Sequence, residues 1–366
     1  MQKNIKLTEI DLQEFPTTRY QGSKRKILPW LHSVFKDLEF ETALDAFGGS
    51  ASVSYLLKKM NKTVTFNDKL LFNHIIGKAI IENNRIKLNE QDVSNLTKRI
   101  EGVKYYRFIQ NNFKDVYYLQ DENVWLDRVV SNIFQMNHYQ PHVLQYKRSL
   151  AYYSLFQSSI IKRPFNLFHR KNLYLRTSDV ERNFGNKTTW DKSFENYLRK
   201  FSDEVNSLVF NSGRNCRSLN ESAFDIAPDG YDLVYLDPPY LRKDGSNESS
   251  NYLKCYHFLE GLSKYQEWKN LVDFDSVNLR LKQDEDSNDF SMNTIYESYE
   301  KLITRFQNSI IVLSYKKGGI PSIDYLVNLV KKVKGNAHTV SMHYKYALNH
   351  QNGDAKNNRE VLIIGI

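Results

Sequence analysis

The stretch Tyr231-Asp-Leu-Val-Tyr-Leu-Asp-Pro-Pro-Tyr240 decides how the rest of the chain is read. Its apolar run has the length of a buried strand, and the two prolines end it, because proline cannot donate to a β ladder. The C-terminal edge of such a strand is where open α/β sheets hold ligands. The turn offers the Asp237 carboxylate and a backbone carbonyl as acceptors for the two N–H bonds of a planar amine, with the Tyr240 ring as a stacking face. Methylation of a nucleobase amino group is the chemistry this suggests.

On both sides of this stretch, short apolar runs alternate with amphipathic ones, the pattern of an α/β sheet. Strands are predicted at 43–47, 63–67, 216–220, 232–236, 308–315, 339–345 and 360–366. Helices should start near Ser50, Leu70, Tyr252 and Met292, and after Pro321, which suits a first helical turn. The last two strands are joined by a polar loop, 349–358, with no room for a crossover helix, so they should pair antiparallel. The expected fold is Rossmann-like α/β: seven strands, mostly parallel, with an antiparallel hairpin at one edge. From Arg85 to Asn215 the alternation stops and polar-aromatic helical stretches such as 132–157 take over. This segment reads as an inserted, mainly helical recognition domain, with residues 1–84 and 216–366 forming the catalytic domain. Residues 280–290 lack periodicity and read as an exposed loop, and residues 1–16 as a loosely ordered arm.

The 366-residue chain carries 51 Lys+Arg against 42 Asp+Glu, and the excess is local. Residues 85–215 hold 21 against 13, while the remainder holds 30 against 29. A basic segment rich in Tyr, Phe, Asn and Gln suits a polyanion with readable edges, namely nucleic acid. With no run of eighteen apolar residues and no apolar N-terminal stretch, no membrane partner is expected and the expected location is cytoplasmic. Cys216 and Cys255 make neither a metal-binding spacing nor a disulfide framework, so no metal is expected.

Ala43-Leu-Asp-Ala-Phe-Gly-Gly-Ser-Ala-Ser-Val53 reads as a strand, a glycine turn and a helix. Gly48 and Gly49 let the backbone approach a ligand. About twenty residues on, Phe66-Asn-Asp68 ends the next strand with a carboxylate, the spacing at which an acid reaches ribose hydroxyls. This is a nucleoside pocket. Upstream, in Thr18-Arg-Tyr-Gln-Gly-Ser-Lys24, Gly22 frees the backbone and Lys24 supplies a compact positive charge for a carboxylate, such as the amino-acid end of S-adenosylmethionine.

In this order the motifs resemble those of the adenine-specific DNA methyltransferases related to Dam, over nearly the whole chain. Arg19–Lys24, Asp45–Ala51, Asn67-Asp68 and Asp237–Tyr240 carry the likeness, with Tyr256–Leu262, Leu313–Tyr315, Gly319–Pro321 and Tyr344–Tyr346 in support. The resemblance implies S-adenosylmethionine as cofactor, contacted by Tyr20, Gly22, Lys24, Asp45, Phe47, Gly48, Gly49 and Asp68. Near the cofactor adenine many members place an aspartate; here Ser222 takes that place, with Glu221 as the competing candidate. The family's glycine motif ends in glycine where this chain has Ala51, a change that costs little if the φ of Ala51 is negative. Lys162-Arg-Pro-Phe-Asn-Leu-Phe-His-Arg170 resembles a subgroup associated with restriction-modification systems. It implies double-stranded DNA as substrate and a cognate restriction endonuclease acting on the same site as a possible partner. Lys162, Arg163, His169, Arg170 and Lys171 are the candidates for DNA backbone contact; alternatively this segment fixes the insert to the catalytic domain.

The implied catalytic residues are Asp237, Pro238 and Tyr240. Asp237 and the Pro238 carbonyl would draw the amino N–H groups out of the purine plane and turn the nitrogen lone pair toward the methyl. The base must be flipped from the duplex to reach them, with Tyr240 as its platform. Tyr256, Phe258 and Tyr315 compete for a second aromatic face, Phe258 being expected in the core. His257 and Glu260 read as substrate contacts or as a structural pair. Two other functions fit parts of the pattern: methylation of the cytosine 4-amino group, and a catalytically silent DNA-binding regulator. Intact Asp45, Asp68, Asp237 and Tyr240 argue against the regulator.

Overall fold

The computed structural model describes residues 10–179, 187–241, 251–283, 289–343 and 359–366. The apolar runs become one sheet of seven strands: β1 (Thr42–Asp45), β2 (Thr63–Asn67), β3 (Arg217–Leu219), β4 (Leu233–Leu236), β5 (Ile310–Lys316), β6 (His338–His343) and β7 (Arg359–Gly365). Their spatial order is β3-β2-β1-β4-β5-β7-β6. Leu44 lies between Thr65 of β2 and Val234 of β4 in parallel register, and the β2–β3 and β4–β5 pairs are parallel as well. β7 runs antiparallel to both its neighbours, so the final hairpin folds back with β7 inside and β6 at the edge. This mostly parallel seven-stranded sheet with an antiparallel hairpin at one edge is the Rossmann-like α/β architecture expected from the sequence.

Both faces of the central strands are covered, which is why β4, β5 and β7 read as nearly continuous apolar runs, while the edge strands β3 and β6 are more polar and β6 is largely exposed. Ala43, Leu233, Tyr235, Val312 and Leu362 enter one core, and Leu44, Val234, Leu236, Leu313 and Ile363 enter the other. The main helices are α1 (Leu28–Phe35), α2 (Ser52–Lys59), α3 (Leu71–Gly77), α4 (Glu90–Thr97), α5 (Gln120–Gln135), α6 (Pro141–Ile161), α7 (Phe194–Leu208), α8 (Tyr252–Ser263), α9 (Ile295–Arg305) and α10 (Ile323–Lys334), with shorter turns between them. Helices α4 to α7 all fall between β2 and β3. Their apolar faces join the same core as Ala43 and Tyr235, and the Tyr55 hydroxyl of α2 donates to the Leu208 carbonyl of α7 at 3.0 Å.

Several local expectations are corrected. The stretch 132–157 is two helices: α5 stops at Gln135, and α6 begins at Pro141, which keeps Gln140 before it out of helical backbone. Pro321 lies outside α10, whose N-cap is Ser322, with its hydroxyl accepting from the Tyr325 amide. The described part of the N-terminal arm is ordered: Asp11 caps the turn Leu12–Glu14, Lys59 pairs with Glu14, and Phe15 is buried edge-on against Tyr55. The ends of 280–290 are structured too, since Leu281 bridges Val272 and Phe290 is buried. Residues 344–346 and the loop 349–358 lie outside the described residues.

Candidate active site

The strand order reverses between β1 and β4, and a cavity of about 630 Å³ opens at their C-terminal ends. Its walls bring together Tyr20, Gly22, Lys24, Asp45, Phe47, Gly48, Gly49, Asp68, Ser222 and Asp237. These residues are contributed by five separate stretches of chain. Of the two alternatives after β3, Ser222 is at the cavity and Glu221 is exposed.

The turn after β1 is held by backbone and by one acid. The Gly48 amide donates to the Asn67 carbonyl at 2.8 Å, and the Gly49 amide to Asp68 Oδ2 at 3.0 Å. Oδ1 of Asp68 accepts from the Leu70 amide at 2.9 Å, so this carboxylate organises the glycine turn as well as facing the cavity. Burial pushes it up to about 6. Asp45 accepts from the Ser54 hydroxyl at 2.6 Å through Oδ2, while its Oδ1 is buried with no hydrogen-bond partner. Burial pushes Asp45 up to about 7. Ala51 corrects an expectation: its φ is 60° and ψ 12°, so alanine occupies a left-handed position at the start of α2. An L-residue there costs roughly 1–2 kcal/mol, which the family's glycine would avoid.

Aromatic rings close both ends of the cavity. Phe290 meets Phe47 edge-on at 5.9 Å and Phe224 at 6.0 Å, making an apolar slot beside Ser222. At the other end Tyr20 stacks on Tyr252 at 5.4 Å and on Tyr256 at 4.8 Å, its ring nearly parallel to each. The Tyr256 hydroxyl accepts from the Gln21 amide at 2.7 Å, so Tyr256 supports the wall from beneath. Phe224, Phe290 and Tyr252 were not among the sequence candidates. Phe224 could have been found from its place two residues after Ser222. Phe290 could not, because it ends a stretch with no period.

Asp237 follows β4 directly, and Lys24 reaches it from the turn before α1, with Nζ 3.0 Å from Oδ1. The same ammonium lies 2.7 Å from Oε1 of Glu360 on β7, which also accepts from the Ser314 hydroxyl of β5 at 2.8 Å. The cation expected to hold a ligand carboxylate is thus shared by two carboxylates of the protein. Burial pushes Asp237 up to about 6 despite the neighbouring Lys24 charge. Pro239 lines the cavity, and its carbonyl accepts from the Tyr299 hydroxyl at 3.5 Å. Pro238 and Tyr240 stand beside the cavity without lining it. The Tyr240 ring is half-buried, edge-on to Tyr315 at 5.7 Å, and the next residue bridges Ile320. Tyr315 donates to the Pro321 carbonyl at 2.6 Å.

The helix α8 separates the remaining candidates. Phe258 is fully buried among Phe113, Tyr117, Phe168 and Trp268. His257 and Glu260 do not pair with each other. His257 Nε2 bonds the Tyr117 hydroxyl at 2.7 Å, and burial pushes the ring down to about 3. Glu260 lines the cavity, accepts from the Phe72 amide at the start of α3, and pairs with Lys264.

Two of the five cations chosen for DNA contact are interior. Lys162 is 2% exposed; its ammonium binds Glu122 at 2.7 Å and the carbonyls of Trp190 and Lys192. Arg163 is 1% exposed and donates to the carbonyls of Tyr117, Leu167 and Arg170 while lying over the Tyr117 ring. Neither can reach a phosphate from there, so the choice of Lys162 and Arg163 as backbone contacts is withdrawn. Arg170 and Lys171 are exposed and His169 is half-buried. The segment is tied to α8 through the Phe168 amide, which donates to the Cys255 carbonyl at 2.8 Å.

The cavity lies at the sheet's switch point, with Asp-Pro-Pro-Tyr at its rim. The chain belongs to the D12 class N6 adenine-specific DNA methyltransferases, whose family model matches residues 20–310. It is 27% identical over 343 residues to the modification methylase StsI of Streptococcus sanguinis, covering 86% of this chain and 46% of that protein. It is 24% identical over 268 residues to the type II methyltransferase M.FokI of Planomicrobium okeanokoites, covering 68% of this chain and 37% of that protein. The chain therefore spans about half the length of these curated relatives, or less. Among the described residues, no helix is long and apolar enough to cross a membrane.

Proposed function

We propose that this protein transfers a methyl group from S-adenosylmethionine to the 6-amino nitrogen of adenine at a specific site in duplex DNA, in the cytoplasm, as the modification arm of a restriction-modification system. The observation that carries this reading is Asp237 at the end of β4, facing the glycine turn of β1 across one cavity. The residues fit the cofactor. Among the described residues, the buried carboxylate of Asp45 has an oxygen without a hydrogen-bond partner, Asp68 faces the same space, and Phe47, Phe224, Phe290 and Ser222 line it with aromatic rings and a hydroxyl suited to a purine. When bound, S-adenosylmethionine supplies a methyl group on a positively charged sulfur; the protein supplies position and electrostatics.

An adenine amino nitrogen is a weak nucleophile because its lone pair is delocalised into the ring. Asp237 and the Pro238 carbonyl accept its two N–H bonds, the Pro239 carbonyl being engaged by Tyr299. The lone pair is thereby turned out of conjugation, and the carboxylate stabilises the positive charge that grows on nitrogen. Flipping the base costs roughly a few kcal/mol, offset in part by stacking on Tyr240. Residues 85–215 form the recognition insert, with Arg170 and Lys171 on phosphates.

The test is mass spectrometry of DNA digested after reaction with the purified protein and S-adenosylmethionine. It should show 6-methyladenine; 4-methylcytosine without methyladenine would overturn the reading. Asp237→Ala should abolish turnover while leaving cofactor and DNA affinity nearly intact.

A further inference from the structure

Asp237 belongs to a cluster whose other members, Lys24, Ser314 and Glu360, the methyl-transfer chemistry above does not use. Lys24 comes from before β1, Asp237 from β4, Ser314 from β5 and Glu360 from β7. The ammonium of Lys24 lies 3.0 Å from Asp237 and 2.7 Å from Glu360, and the Ser314 hydroxyl donates to the same Glu360 oxygen at 2.8 Å. Glu360 is 1% exposed, whereas Asp237 keeps 22% of its side chain accessible. Burying a carboxylate is expensive, and one ammonium does not neutralise two of them. A fold whose only need was to place Lys24 beside Asp237 has no use for the second acid.

We propose that Glu360 is a positioning residue for methyl transfer: it pins the Lys24 ammonium from behind and restores to the cluster the negative charge that Lys24 removes from Asp237. The inference rests on the reading of Asp237 as the acceptor of the target amino group. Lysine is a point charge on a flexible stem, and in an open cavity it would swing to any anion that enters, the cofactor carboxylate included. Held by Glu360, it stays on Oδ1 of Asp237 and fixes the plane of that carboxylate, so that acceptance from the substrate falls to Oδ2. The charge matters as much as the position. Lys24 and Asp237 together are neutral, which would leave little to stabilise positive charge growing on the amino nitrogen. Among the described residues, the Lys24, Asp237 and Glu360 side chains have a formal sum of −1, set before the reaction and needing no reorganisation.

The experiment is single-turnover methyl transfer with saturating S-adenosylmethionine and duplex DNA, run on Glu360→Gln, Lys24→Met, the double variant and, as a control, Asp237→Ala. Equilibrium binding and thermal melting are measured on each. Glu360→Gln should slow the methyl-transfer step about 10- to 100-fold, the range typical of a group that supports a reacting residue from behind. Its affinities for cofactor and DNA should stay within about threefold of wild type, since it touches neither ligand directly. Because Glu360 acts through Lys24, adding Glu360→Gln to Lys24→Met should cost no further rate. Ser314→Ala should slow the step less, in the same direction. A wild-type rate in Glu360→Gln, or a further loss in the double variant, would overturn the inference, as would a loss that tracks weaker cofactor binding. If Glu360→Gln does not fold, the comparison of Lys24→Met with the double variant, in which neither charge remains, decides the matter. An active Asp237→Ala enzyme would instead overturn the reading of the site on which the inference rests.

Discussion

Gly48 sits so close to Phe66 that a Cβ on the glycine would lie 2.1 Å from Cε2 of the ring. The ring cannot retreat, because Gly77 of α3 packs against its other edge, where a Cβ would lie 2.3 Å from Cδ1. Gly48→Ala should therefore push the turn away from β2 and into the cavity. Overpacking of this kind costs about 1–3 kcal/mol, to be read as a lower urea midpoint. Cofactor affinity, measured by titration calorimetry, should fall as well. An unchanged midpoint with full affinity would mean that the turn has slack that the packing does not show.

Ala51 invites the opposite change. Its left-handed backbone suits glycine, and Ala51→Gly should raise stability by about 1 kcal/mol in a denaturant melt, the gain being reduced by the extra freedom glycine has when unfolded. A fall in stability would show that the buried methyl group contributes more than its backbone costs.

The cations of 162–171 should separate into two groups. Alanine at Arg170 and Lys171 together should weaken binding to specific and random duplex alike. It should also lower the slope of log affinity against log salt by up to about two, at roughly 0.9 per phosphate contact. Lys162→Met or Arg163→Met should leave that slope alone and lower stability by about 1–3 kcal/mol each, since each leaves buried carbonyls without donors. If the interior pair moves the salt slope and the exposed pair does not, the recognition surface lies elsewhere.

The pH profile of methyl transfer tests Asp237. Burial raises its carboxyl to about 6, and only the ionised form carries the negative charge that stabilises the positive charge growing on the amino nitrogen. The single-turnover rate should be level well above pH 6, half its plateau near 6, and drop about tenfold per unit at lower pH, as protonation removes the negative charge. Asp237→Asn should retain a low rate without this acid limb. A limb of the same midpoint in the variant would assign the titration to another group, of which Asp68, also near 6, is the neighbour to examine next.

The strands were legible because burial on both faces writes itself into short apolar runs, and the site because its turns must follow strand ends. What escaped was burial imposed from a distance. Lys162 and Arg163 look like solvent-facing charges in their own sequence, yet the groups that enclose them, Glu122, Tyr117 and the carbonyls of Trp190 and Lys192, lie tens of residues away. Glu360, preceded by Arg359 at the head of an apolar strand, reads as an ordinary flanking charge. The φ of Ala51 left no mark at all, since alanine gives no sign of a left-handed backbone. Phe290 entered the cavity from a stretch whose composition pointed to solvent.

The placement of β7 between β5 and β6 sets the order in which the molecule can be finished. Among the described residues β6 pairs with β7 and with no other strand, although it is synthesised earlier, so it must wait on the sheet's periphery for its neighbour to arrive. Lys24 waits longer still, for a carboxylate 336 positions further along the chain. A nascent chain that has not yet delivered Arg359–Gly365 can have built its glycine turn and its Asp-Pro-Pro-Tyr rim, and still lack the Glu360 carboxylate that holds Lys24. The geometry of the reacting centre thus depends on a strand far from it in sequence: the full hold on Lys24 beside Asp237 exists only once β7 is in the sheet.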